Sequence, residues 1–113
     1  MTLPEEGALL RIFVGESDRH EGKLLYEWLV LAAREKGLAG ATVLRGVMGF
    51  GARSRLHTFK IERLSEDLPV VVEIVDVQEK LEAFLAEIEG HVPEGLATME
   101  KAFVRFYRGG KSK

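Results

Sequence analysis

The chain has 113 residues, 46% of them apolar, which suffices for one domain with a modest core and is too few for two. Its 16 basic and 18 acidic residues leave a net charge of −2, which argues against a protein held to nucleic acid by counterion release. The absence of cysteine excludes disulfides and thiolate metal sites, and no stretch approaches the ~18 apolar residues of a membrane span. The N-terminal "MTLPEEGALL" lacks a basic region followed by an apolar one, so the chain reads as cytoplasmic.

In chain order, "LLRIFV" (9–14) is a first strand, and "GESDRHEG" is a loop leading to a helix over about 23–36. Leu25, Trp28, Leu29 and Ala32 make that helix's apolar stripe, and Gly37 stands at its natural C-terminal stop. Asp18 and Glu21 form a candidate capping box that Gly22 interrupts. "ATVLRGVM" (41–48) is a second strand and "PVVVEIVDV" (69–77) a third, with Pro69 tolerated because it opens the strand. A second helix follows, capped by Asp76 and Glu79, with Leu81, Phe84, Leu85 and Ile88 as its stripe and Gly90 as its end. A last strand over about 98–107 runs into the polar tail 108–113. The whole is a single domain, 1–113, of α+β class: a ferredoxin-like βαββαβ with a four-stranded antiparallel sheet and both helices on one face.

Such a sheet leaves its other face bare, yet alternate positions are apolar on both sides of every strand. One parity gives Leu9-Arg11-Phe13, Val43-Arg45-Val47, Val71-Glu73-Val75 and Phe103-Arg105-Tyr107, each apolar with one central charge. Ferredoxin-like strand order sets Glu73 between the strands of Arg11 and Arg45, where ion pairing offsets burial of the charges. A greasy open face with paired charges predicts an oligomer; the alternative is shielding by the chain's own long loop and tail.

The long loop, about 50–67, follows "GVMGFGARSRLHTF". Gly49 and Gly51 permit positive φ and close backbone approach, so N–H groups can converge on an anion, while Arg53, Arg55, His57 and Lys60 follow within reach. Arginine forks suit phosphate oxygens. Gly46 belongs to the same run, but no helix follows the glycines, so the run is neither a dinucleotide-binding turn nor a P-loop.

The stretch "GATVLRGVMGFGARSRLH" resembles the strand and loop entrance of PII signalling proteins. A closer resemblance is to the PII-like group known as domain-of-unknown-function family 190, carried by "GESDRHEGKLLYEWLV", "GATVLRGVMGFG" and "LSEDLPVVVEIVD". It implies a homotrimer with sheets facing inward, and an adenine nucleotide in the clefts between subunits at the loop entrance. Gly49, Phe50 and Gly51 match the PII pattern residue by residue, and Arg53 matches its following basic position less tightly. Arg105 and Arg108 resemble the paired basic residues by which PII proteins reach phosphates, spaced three apart rather than two. The PII glycine-lysine loop that holds a triphosphate has no counterpart in "EGHVPEGLATM", which favours AMP or ADP over ATP. The implied role is regulatory, acting through the loop on a target protein, with membrane transporters or channels suggested by family analogy.

Other constellations carry less. His20, His57 and His91 lack metal-ligand spacing, and no metal is predicted. Glu16, Asp18 and His20 either assist a ligand or cap the first helix. Ser17, Asp18 and His20 crowd one loop without an oxyanion hole, so no enzyme is read. "KAFVRFY" (101–107) partly copies an RNA-recognition strand motif, but on an edge strand of an acidic chain; RNA binding and a nucleotide-free trimeric scaffold are the alternative functions.

Overall fold

The computed structural model describes residues 6–50 and 67–110. In chain order the elements are β1 (Glu6–Gly15), β2 (Arg19–His20), β3 (Lys23–Leu24), α1 (Leu25–Glu35), β4 (Thr42–Arg45), β5 (Pro69–Asp76), α2 (Gln78–Ile88), a 3-10 turn (Glu89–His91) and β6 (Leu96–Phe103). The main sheet has the order β4-β5-β1-β6, antiparallel throughout, which is the ferredoxin-like arrangement.

Alternation on the two central strands builds the core. Ala8, Leu10, Ile12 and Val14 of β1 and Val70, Val72 and Ile74 of β5 are buried on one face. Against them lie Leu25, Leu29 and Ala33 of α1 and Leu81, Phe84 and Ile88 of α2, in one contiguous cluster. Trp28, Ala32 and Leu85 border it half-buried, so each predicted stripe is on the correct side of its helix. The end of α1 is a complete Schellman motif: Leu38 N–H donates to Ala33 O, Gly37 N–H donates to Arg34 O, and Gly37 takes φ 74°.

Both expected helix caps differ from the structure. Gly22 does not interrupt a capping box; with Glu21 it turns a two-residue hairpin between β2 and β3, at φ 52° and 82°, the left-handed pair that such turns require. Asp18 instead closes the turn before it: its Oδ2 accepts Gly15 N–H at 2.9 Å and its carbonyl accepts Leu25 N–H at 2.7 Å. Asp76 is fully buried and does not cap α2 from outside. Its Oδ1 accepts Val77 N–H, its Oδ2 accepts Ala39 N–H at 2.9 Å, and Lys80 Nζ lies 3.6 Å from that oxygen.

The open face also differs at both edges. Directly opposed residues of antiparallel strands point the same way, and the register sets Thr98 against Arg11, Glu100 against Leu9, Thr42 against Glu73 and Leu44 against Val71. The open face therefore carries Leu9, Arg11, Phe13, Val71, Glu73, Val75, Thr42, Leu44, Leu96, Thr98 and Glu100. Val43 and Arg45 fall on the helix side, as does Phe103, while Arg105 and Tyr107 lie beyond the end of β6. In place of three positive charges and one negative, this face holds one arginine between two glutamates.

Candidate functional site

That charge cluster is compact. Arg11 Nε donates to Glu73 Oε2 at 2.9 Å and its Nη1 donates to Glu100 Oε1 at 2.7 Å. Hydrogen bonds from the guanidinium to Glu73 and then to Glu100 push the Arg11 pKa above its ordinary value. β5 does lie between β1 and β4, but Arg45 pairs with Glu16, its Nη2 2.8 Å from Oε2, rather than with Glu73. The reason is register: Arg45 stands opposite Val70, near the start of β5, on the other side of the sheet from Glu73.

The glycine run ends in a cleft of about 380 Å³ at the end of the sheet where β1 finishes and β5 and β6 begin. Gly49 and Phe50 line it together with Phe13, Gly15, Pro69 and Leu96. Phe50 is largely exposed. Gly49 does not use a positive φ; the close approach is what requires glycine, since a Cβ there would stand 2.9 Å from Pro69 Cγ. Gly46 meets the same ring at 2.8 Å, and its N–H donates to Pro69 O at 2.7 Å, so that donor is spent on the β4–β5 ladder. Gly51, Arg53, Arg55 and His57 lie outside the described residues.

Among the described residues, the charges lining this cleft are acidic: Asp18, Asp67 and Glu94. Asp67 Oδ1 accepts Ser17 N–H at 3.0 Å, so it ties the far end of the loop to the turn after β1. Both carboxylates crowd Gly15, where a Cβ would lie 3.0 Å from an oxygen of each. In the sequence Asp67 is no more than the last position of the predicted loop. His20 is apart from this cleft's lining, its ring packed with Trp28 and His91 at centroid distances of 4.5 and 4.8 Å.

Arg105 belongs to a second cleft, of about 560 Å³, at the opposite end of the open face. Its walls are Leu9, Glu73 and Val75 on the sheet, residues 39–42 before and at the start of β4, and the segment 102–107. Past β6 the chain reaches the 39–41 segment, where the Tyr107 hydroxyl donates to Ala39 O at 2.6 Å. Arg108 lays its guanidinium over the Phe106 ring, 4.5 Å from the centroid. The segment 102–107 thus lies along one end of the open face, while Leu44 and Leu96 remain exposed. Tyr107 was read as a strand residue; no local pattern gives the partner of its hydroxyl.

The two groups of candidate residues are accordingly far apart within one chain. β6 runs from Leu96 at the first cleft to Phe103 at the second, eight residues or about 24 Å.

The DUF190 family model, described as an uncharacterized ACR, matches residues 7–104. The chain belongs to the DUF190 family. Among relatives of this DUF190 protein, a UPF0166 protein of Aquifex aeolicus (strain VF5) is 47% identical over 92 residues, covering 81% of this chain and 87% of the relative. A UPF0166 protein of Methanocaldococcus jannaschii is 38% identical over 80 residues, covering 71% and 73%. Among solved structures, CPII of Thiomonas intermedia K12, a nitrogen regulatory PII-like protein bound to ADP, AMP and bicarbonate, aligns with TM-score 0.60 at 14% identity over 88% of each chain. A putative PII-like signalling protein of Thermus thermophilus aligns with TM-score 0.55 at 17% identity, covering 89% and 93%. The DUF190 chain therefore has the PII-like fold. Among the described residues, no helix is long and apolar enough to cross a membrane.

Proposed function

We propose that this DUF190 protein is a PII-like regulatory module: a homotrimer that binds an adenine nucleotide between subunits and acts on a target protein through the loop of about 50–67. The observation that carries the reading is the separation of Gly49 and Phe50 from Arg105 by the length of β6. A site using both groups needs two chains, each offering a different end to its neighbour, and such heterologous contacts form a ring when the rotation between copies closes. The PII-like CPII, crystallised with ADP and AMP, supports the ligand class.

In this site the backbone at 49–51 and Arg53 meet the phosphate from one subunit, and Arg105 or Arg108 meets it from the next. The carboxylates of Asp18 and Asp67 disfavour an anion beside Gly15, so the nucleotide lies with its phosphate toward the loop and the neighbour, and its base and sugar toward Phe13 and Phe50. AMP or ADP suits such a site better than ATP, whose far phosphate lacks a lysine loop. Binding contacts made only by one loop conformation shift its population, which supplies the differential affinity that signalling needs.

Calorimetry against AMP, ADP and ATP tests this, with Arg53→Ala and Arg105→Ala alongside. Binding of AMP or ADP that each arginine variant weakens is the expected result. Heat absent with every nucleotide at millimolar concentration leaves the trimeric scaffold as the reading.

A further inference from the structure

The tail residues that the proposed site requires are engaged with their own subunit. Arg105 lines the cleft on its own sheet, Arg108 stacks on its own Phe106, and the Tyr107 hydroxyl is spent on Ala39 O. We propose that residues 104–108 form a latched strap, which must leave its own sheet end before Arg105 and Arg108 can serve a nucleotide held by the neighbouring subunit. This inference rests on the nucleotide reading above and adds its regulation.

Three features of the molecule make a strap of this segment. Among the described residues its anchor is one side-chain hydrogen bond, Tyr107 to Ala39, together with the apolar contact of the cleft, and Phe106 and Tyr107 stay exposed at 69% and 43%. The anchoring carbonyl, by contrast, belongs to a rigid post. Ala39 N–H is held by the fully buried Asp76, and Lys80 Nζ, 3.6 Å from that carboxylate, also donates to Gly37 O at 3.2 Å. Finally, the strap occupies the Leu9, Val75 and Ala102 end of an apolar face that a second copy would otherwise contact. A weak anchor on a firm post over a contested surface is a two-position element. The ligand that binds only the released position shifts the strap toward release.

The post also links the strap to the signalling loop. Ala39 is three residues from Thr42, where β4 begins, and β4 leads directly into the glycine run. Release of Tyr107 removes its hydrogen bond from this segment.

Tyr107→Phe tests the strap, because it deletes the hydroxyl and keeps the ring. Hydrogen exchange without nucleotide should accelerate about two- to tenfold in peptides spanning 36–43 and 103–110, the factor for one net hydrogen bond, with β1 and β5 unchanged. ADP should bind Tyr107→Phe about two- to tenfold more tightly than the parent chain, since a larger fraction is already released. Unchanged exchange in both peptides overturns the latch. Faster exchange with unchanged or weaker ADP affinity overturns the competition between strap and ligand. Failure of both forms to bind ADP overturns the nucleotide reading and the competition with it, while the exchange rates still decide whether the latch exists.

Discussion

Arg11 and Glu73 stand directly opposite each other on the two central strands, with Nε 2.9 Å from Oε2, in the middle of the open sheet face. Glu73 is the more enclosed partner, its side chain 27% exposed, so removing the arginine leaves a half-buried carboxylate without its cation. Arg11→Met should therefore lower the thermal midpoint, and adding Glu73→Gln should restore at least half of the loss. No restoration in the double variant would mean that packing of the arginine stem, not the ion pair, is what matters.

The pH dependence of that deficit has a definite sign. The Arg11 pKa is raised above its ordinary value by its hydrogen bonds to Glu73 and then to Glu100. A raised cation contributes stability in full below its ordinary value and loses it only as pH climbs through the raised one. The difference in midpoint between parent and Arg11→Met should stay constant from about pH 7 to about pH 10. Thermal melts across this interval check it, and a shrinking difference contradicts it.

Gly46 and Gly49 both press on Pro69, at 2.8 and 2.9 Å from Cγ to the position a Cβ would take. Either glycine changed to Ala should cost about 1–3 kcal/mol by overpacking, measured as a shift of the urea midpoint. Combining Gly49→Ala with Pro69→Ala should recover part of it, because the two sites are in contact and couple. Gly90→Ala, where the added methyl group meets nothing within 4 Å, serves as the neutral control.

This pair of glycines also shows where sequence reading stops. The run was legible as the exit of a strand into a long loop, and the fold was legible because α1 and α2 each carry one apolar stripe and β1 and β5 each have an apolar set of alternate residues, 8–14 and 70–74. The reason for Gly49 was not: its neighbour is Pro69, twenty residues on, and only the folded chain brings the ring to it. Register was hidden in the same way. β4 and β6 mix apolar and polar residues at both parities, so alternation alone leaves open which set faces the helices. Pairing with β5 and β1 decides it, and it moves Val43, Arg45 and Phe103 to the helix side. Gly22, which interrupts the capping pattern, forms with Glu21 a hairpin turn whose flanking strands of two residues each are too short to show alternation.

Among the described residues Asp76 is the buried charged one, and it binds two backbone donors, Ala39 N–H and Val77 N–H. Asp76→Ala orphans both and should destabilise by about 3 kcal/mol in urea unfolding. Asp76→Asn keeps one acceptor oxygen and should fall between. Equal losses for the two variants would show that charge, through Lys80 at 3.6 Å, outweighs the hydrogen bonds.

Leu44 lies on the open face at 48% exposure, on edge strand β4 and away from both clefts. Exposure in the single chain means that a charge there costs the folded subunit little, whereas the same charge buried against another copy is expensive. Light scattering after size exclusion should therefore give the parent chain about three times its 12.6 kDa, and Leu44→Glu a mass near 12.6 kDa with an unchanged far-ultraviolet spectrum. A parent chain already at 12.6 kDa would leave the open face to the strap alone and remove the inter-subunit site. A trimer that survives Leu44→Glu would move the contact to the β1 and β6 side of the face, where Phe13 and Leu96 line the first cleft.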